Sequence, residues 1–162
     1  MSATVRPVPE GYHTVTPAIT CRGAAGAIEF YKKALGAKEI ARMEGPGGTI
    51  AHAEIQIGDS KIMLGDEWPG QTAAPSATAP ASASLFIYLP EVDKAFNTAV
   101  AAGCQVVMPP TDMFWGDRYG KLRDPYGHHW GLATHIEDVS MEEMKRRSDE
   151  FMAKMAKGAG QS

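Results

Sequence analysis

Ala24–Gly36, AAGAIEFYKKALG, and Val92–Gly103, VDKAFNTAVAAG, decide how the rest of the chain is read. In the first, Ala24, Ala27, Ile28, Tyr31 and Leu35 recur at three- and four-residue steps, the period of one helix face. Gly36 stands where a left-handed cap ends such a helix. The second stretch has the same form and is closed by Gly103. A strand-like run precedes each, Val15–Cys21 and Ser84–Leu89, and three follow each. After the first helix they are Ala37–Glu44, Thr49–Ile57 and Ser60–Gly65, with EGPGG and GDS as turns. After the second they are Cys104–Met108, Arg118–Arg123 and His129–Ile136. Phe30 and Phe96 lie 66 apart, Gly36 and Gly103 lie 67 apart, and Asp59 and Asp124 lie 65 apart. So constant an offset reads as an internal duplication. The expected fold is α+β, two tandem βαβββ modules (12–66 and 84–136) in one domain.

The joining segment, 67–83, is of another kind. Pro69 to Ser84 has three Pro, six Ala, five Ser or Thr and no charge. Such a stretch buries little and is expected to be mobile; a lid across a pocket mouth is the alternative. Ser140-Met141-Glu142-Glu143 has capping-box form and opens a tail helix over 140–157. Met141, Met144, Phe151, Met152 and Met155 make its apolar stripe. That stripe reads as packing against the body or a second subunit, or as a filler for a ligand groove.

Composition excludes whole classes of function. Of 162 residues, 44% are hydrophobic and 22% charged, with a net charge of −3, which suits a globular domain. No Lys/Arg stripe follows a phosphate backbone, so no nucleic-acid partner is expected. No apolar run reaches the roughly eighteen residues that a membrane span needs. The N-terminal MSATVRPVPEGYH lacks the apolar core of a signal peptide, and a cytoplasmic location is expected. Cys21 and Cys104, the only cysteines, sit in apolar runs and read as buried reduced thiols. No G-x-S-x-G elbow, Walker A loop or paired Rossmann glycines occurs. The GPGG of Gly45–Gly48 is a hairpin turn, because no helix follows it to cradle a phosphate.

Two βαβββ units carrying IEFYKKALGAKEI (Ile28–Ile40), HAEIQIGDSKIML (His52–Leu64) and GDRYGKLRDPYGHHW (Gly116–Trp130) resemble the vicinal oxygen chelate superfamily. That superfamily includes glyoxalase I, bleomycin- and fosfomycin-resistance proteins and extradiol dioxygenases. The PhnB-like branch is the nearest in these motifs, and the resemblance covers Tyr12 to Ile136. It implies curved mixed sheets around a cavity, each with its helix on the convex side, and commonly a homodimer. It also implies a divalent metal held from the first and last strands of each module. Carried over residue by residue, those positions fall on Thr16, Ser84, Gly131, and Met63 or Gly65. None is an imidazole or carboxylate, and catalytic metal sites need about three such ligands. No metal or other cofactor is therefore expected, with a divalent metal on displaced ligands as the alternative.

Strand alternation places His52 and Glu54 opposite Ala51, Ala53, Ile55 and Ile57. It likewise sets His129 and His135 on the side of Gly131, opposite Trp130 and Leu132. His52, Glu54 and His129 are then the candidate displaced ligands, or simply polar groups lining a wet groove. The loop MFWGDRY (Met113–Tyr119) is too aromatic for plain solvent. It reads equally as a pocket lip and as a loop tucked under the tail or a partner, with Asp117–Arg118 as an ion pair fixing it. The preferred reading is a small-molecule binder without a metal. Phe86, Tyr88, Trp115 and Tyr119 form its walls, with His52, Glu54 and His129 as polar anchors. A metal-dependent lyase, isomerase or dioxygenase is the second reading. An accessory subunit docking through its tail is the third.

Overall fold

The structure, a computed structural model, describes residues 5–159; the first four residues of the stretch read for a leader lie outside it. Both modules have the expected order. The first is β1 (Ala18–Thr20), α1 (Ala24–Leu35), β2 (Lys38–Glu44), β3 (Ile50–Ile57) and β4 (Ser60–Gly65). The second is β5 (Ser84–Tyr88), α2 (Val92–Ala102), β6 (Gln105–Asp112), β7 (Asp117–Arg123) and β8 (His129–His135), followed by α3 (Met141–Ala159). The sheets are ordered β1-β4-β3-β2 and β5-β8-β7-β6, the same topology twice. In each, the first strand runs parallel to the last and the other pairings are antiparallel. The fold is thus α+β, as expected.

One core serves both modules. Ile28, Tyr31, Ile55, Ile62 and Leu64 of the first pack in one cluster with Val92, Phe96, Leu122, Trp130 and Leu132 of the second. Each sheet therefore turns its helix-bearing face inward and leaves its other face free. A buried carboxyl group ties the two halves. Asp124 is 3% exposed and accepts from Tyr31 Oη of α1 at 2.7 Å and Trp130 Nε1 at 2.8 Å. It also accepts from the backbone N–H of Tyr126 and His128, at 2.8 and 2.9 Å. His128 Nε2 lies 2.8 Å from the Thr20 carbonyl, a second bond between modules.

Helix ends are satisfied from outside the helices. Asp66, just past β4, accepts from the N–H of Gly23 and Ala24 at the start of α1 and of Ile50. For α2 the same service comes from Thr134 Oγ1, 2.9 Å from Val92 N. Gly36 does cap α1 in the left-handed region, at φ 65. Ser140 Oγ accepts from Glu143 N as a helix N-cap. The return half of the capping box is missing, because the Glu143 carboxylate pairs with Arg146 and Arg147.

Three sequence expectations are corrected. β6 does not stop at Met108 but runs through Pro109 and Pro110 to Asp112. This is tolerated because β6 is an edge strand whose register shifts there. In β3, Ile50 is buried and Ala51 exposed, the reverse of the alternation, because the register with β2 slips between Met43 and Glu44. The 67–83 segment, expected as a mobile tether, is held at several points. Ala74 is buried and donates to Glu67, Trp68 bridges Thr72, and Pro75 lies against Gly127. Both cysteines are buried free thiols, which burial pushes up to about 12 for Cys21 and about 11 for Cys104.

Candidate functional site

The free face of the second sheet is built as four rows across β7, β8 and β5. Strand register pairs Asp117 with His135, then Tyr119 with Ala133 and Tyr88. Lys121 pairs next with Gly131 and Phe86, and Arg123 with His129 and Ser84. The intervening residues, Leu122, Trp130 and Leu132, are buried on the core side.

Aromatic rings fill the middle of this face. Phe86 and Tyr119 stack with centroids 5.1 Å apart and planes 10° apart. Tyr88 lies 5.0 Å from Phe86, and Trp115 lies 5.9 Å from Tyr119. Phe86 and Tyr88 stay 45% and 64% exposed, unusual for stacked rings on a folded body. Gly131 makes the stack fit: a Cβ there would lie 2.8 Å from both Phe86 Cδ2 and Tyr119 Cε2.

Asp117 anchors one end of the rings. It is 2% exposed and accepts from Tyr88 Oη at 3.0 Å, Trp115 Nε1 at 2.9 Å and His135 Nδ1 at 2.8 Å. Burial pushes its carboxyl up, but the three donors outweigh that and hold it below the usual range. The expected Asp117–Arg118 ion pair does not form. Neighbouring strand residues point to opposite faces, and Arg118 binds Asp93 and Asp112 instead. The two readings of the aromatic loop divide between its rings: Trp115 faces the ring cluster, whereas Phe114 packs on Phe151 of α3 at 5.4 Å.

His135 bonds Asp138 through Nε2 at 2.9 Å and Asp117 through Nδ1. Asp138 first, then Asp117, raises its pKa above the ordinary value. Because the folded-state value is the higher one, this stabilisation is complete below the unfolded value of about 6.5 and fades as pH rises through the folded value. An NMR titration is expected to place the His135 midpoint above about 6.5, and Asp138→Asn to move it down. A midpoint unmoved by Asp138→Asn contradicts this bond.

His52 and Glu54 lie on the free face of the first sheet, 3.2 Å from each other. Glu54 also accepts from Tyr12 Oη, whose ring lies under Lys61 Nζ at 4.0 Å. Donation by Tyr12 and then His52 holds Glu54 below the usual carboxylate range. Sequence reading did not foresee Tyr12, which precedes any regular element. Of the seven candidate residues, Phe86, Tyr88, Trp115, Tyr119 and His129 thus gather at one face, and His52 and Glu54 at another. Lys121 and Arg123 were missed, though their i, i+2 spacing with Tyr119 signals a shared face.

The residues present do not fit a metal ion of the superfamily's kind. Thr16, Ser84 and Met63 offer poor donors, and the space beside Gly131 holds two rings. The displaced set does not assemble within one chain either. Among the described residues no three His, Cys, Asp or Glu side chains are placed to hold a metal ion, so His129 does not join His52 and Glu54.

A cleft of about 1000 Å³ runs along the seam between the modules, with Leu35, Ile57, Leu85, Ile87 and Leu89 on its walls. Of the candidate residues only Phe86 and Tyr88 reach it. A hollow of about 400 Å³ lies between β1, His128, His129 and the joining segment at Ala73, Pro75 and Ala81–Ala83. The segment thus walls a hollow.

Residues 13–132 match the family model described as Glyoxalase/Bleomycin resistance protein/Dioxygenase superfamily. An uncharacterised protein of Mycobacterium tuberculosis is 36% identical over 135 residues, covering 81% of this chain and 79% of that protein. Protein YjdN of Escherichia coli is 27% identical over 124 residues, covering 64% and 82%. Among solved structures, TioX from Micromonospora sp. ML1 has a TM-score of 0.61 at 22% identity, covering 79% of this chain and all of that one. A PhnB protein from Bacillus cereus has a TM-score of 0.58 at 19% identity, covering 75% and 99%. At these identities the structures speak for the fold. α3 lies beyond the family match.

Proposed function

The chain belongs to the Glyoxalase/Bleomycin resistance protein/Dioxygenase superfamily, and we propose that it binds a small organic molecule, without a metal ion, on the aromatic face of its second sheet. The observation that carries this is the Phe86–Tyr119 stack over Gly131, where the resemblance sets a metal-binding carboxylate. Exposed rings with a few fixed polar groups suit an organic ligand. Phe86, Tyr88, Trp115 and Tyr119 form the wall, and His129 is a polar anchor.

The proposed assembly is a homodimer in the cytoplasm. The free face of the first sheet in a second copy closes over the rings and brings His52 and Glu54 to the ligand. Exposed Met43, opposite His52, gives that face an apolar contact. No nucleic-acid or membrane partner is proposed, and no helix among the described residues is long and apolar enough to cross a membrane.

Equilibrium dialysis against small aromatic compounds, with and without EDTA, tests this reading. At least one compound is expected to bind regardless of chelator, and Phe86→Ala to weaken it by about tenfold, the worth of one good ring contact. Binding that vanishes with EDTA and returns with a divalent ion overturns it.

A further inference from the structure

We infer that the molecule taken by the aromatic face is an anion, a planar aromatic acid whose charged group sits at the Lys121–Arg123 end. The inference rests on the ligand-binding reading above and adds a chemical class to it.

Lys121 shares a row with Gly131 and Phe86, and Arg123 shares the next with His129 and Ser84. Lys121 is half-buried and Arg123 exposed. The ion pairs among the described residues engage Arg22, Lys32, Arg42, Lys94, Arg118, Lys145, Arg146 and Arg147. Neither Lys121 nor Arg123 takes part in any of them. No carboxylate stands in either row, and Asp93 and Asp112 are held by Arg118. Lys121 thus stands in the Phe86 row with no carboxylate partner among the described residues.

A second observation falls on a residue of the Arg123 row. His129 Nδ1 is shielded from solvent and is the one buried side-chain polar atom without a hydrogen-bond partner among the described residues. Native proteins rarely leave such an atom unsatisfied. An anionic oxygen reaching that row offers the imidazole a hydrogen-bond partner. The Ser84 hydroxyl, in the same row, adds a further donor.

The layout also orients the ligand. The far end of the face holds Asp117, already saturated by three donors, so a charged group gains nothing there. Two residues along a strand span about 7 Å, so the Arg123 row lies one row, about that distance, beyond Phe86. An acid one or two fused rings long fits, its rings on Phe86 and Tyr119 and its oxygens among Lys121, Arg123 and His129.

The test uses 1-anilinonaphthalene-8-sulfonate and its uncharged analogue N-phenyl-1-naphthylamine in fluorescence titrations of the full chain. The wild-type protein is expected to prefer the sulfonate. Lys121→Gln with Arg123→Gln is expected to weaken the sulfonate about tenfold, the loss of charge-assisted contacts, and to weaken the neutral probe far less. Phe86→Ala is expected to weaken both. Sulfonate binding kept within twofold in the double variant overturns the anion inference, while the ligand-binding reading stands if Phe86→Ala still weakens the neutral probe. If Phe86→Ala changes neither probe, both fall. Competition by 2-naphthoate and by 1-naphthyl phosphate tells carboxylate from phosphate preference, and displacement by neither overturns the inference.

Discussion

Asp124→Ala is expected to lower the unfolding free energy by about 3–5 kcal/mol, the range for breaking a buried polar network. The substitution strips the acceptor from Tyr31 Oη, Trp130 Nε1 and two backbone N–H groups at once. Each orphaned buried donor costs about 1–3 kcal/mol, and partial relaxation keeps the total below the simple sum. For a domain of this size the melting temperature is expected to fall by on the order of 10 °C. Asp59, its counterpart in the first module by sequence offset, is the control. Asp59 lies in an exposed turn and bonds only the adjacent Ser60, so Asp59→Ala is expected to change stability by no more than about 0.5 kcal/mol. Urea unfolding measures both. A loss under about 1 kcal/mol for Asp124→Ala contradicts a bond between modules running through this residue.

Gly131→Glu is expected to weaken binding of an aromatic ligand by about 30-fold or more, equivalent to roughly 2 kcal/mol. It restores the residue type that the resemblance sets at this position, yet the space beside it is taken. The new Cβ would stand 2.8 Å from Phe86 Cδ2 and from Tyr119 Cε2, and close-packed interiors do not absorb such an approach without moving the rings. The carboxylate would also lack companions, since Thr16 and Ser84 hold the matching positions, and one carboxylate does not make a site that needs about three ligands. Probe titration and elemental analysis after dialysis against zinc and nickel read the two outcomes. Undiminished aromatic binding, or one metal ion retained per chain, contradicts the assignment of this corner to the rings.

The parts of this architecture set by local periodicity were legible in the chain. The residue ranges of α1, α2 and β4 are the expected ones, because apolar spacing and the glycines at 36 and 103 delimit them. The duplication was legible too, since both sheets share one strand order. What distant residues decide was not. Asp124 reads as a turn residue until Tyr31, 93 positions away, reaches it. Arg118 reads as the partner of its neighbour Asp117 until Asp93 of α2 comes within 2.6 Å. At the candidate site, ring chemistry and the shared face of His129 and Gly131 were readable from alternation. Which sheet faces the core with which helix was not, and so His52 and Glu54 fell in with residues that lie on the other sheet.

The most direct measurement is a set of intermolecular NOEs between bound naphthyl ligand and assigned side chains. Contacts from the naphthyl protons to Phe86, Tyr119 and Lys121 are the expected result, because these share one row or adjacent rows of the free face. Contacts to Leu35, Ile57 and Leu85 without Tyr119 would place the ligand in the seam cleft between the modules and contradict a binding site on the aromatic face.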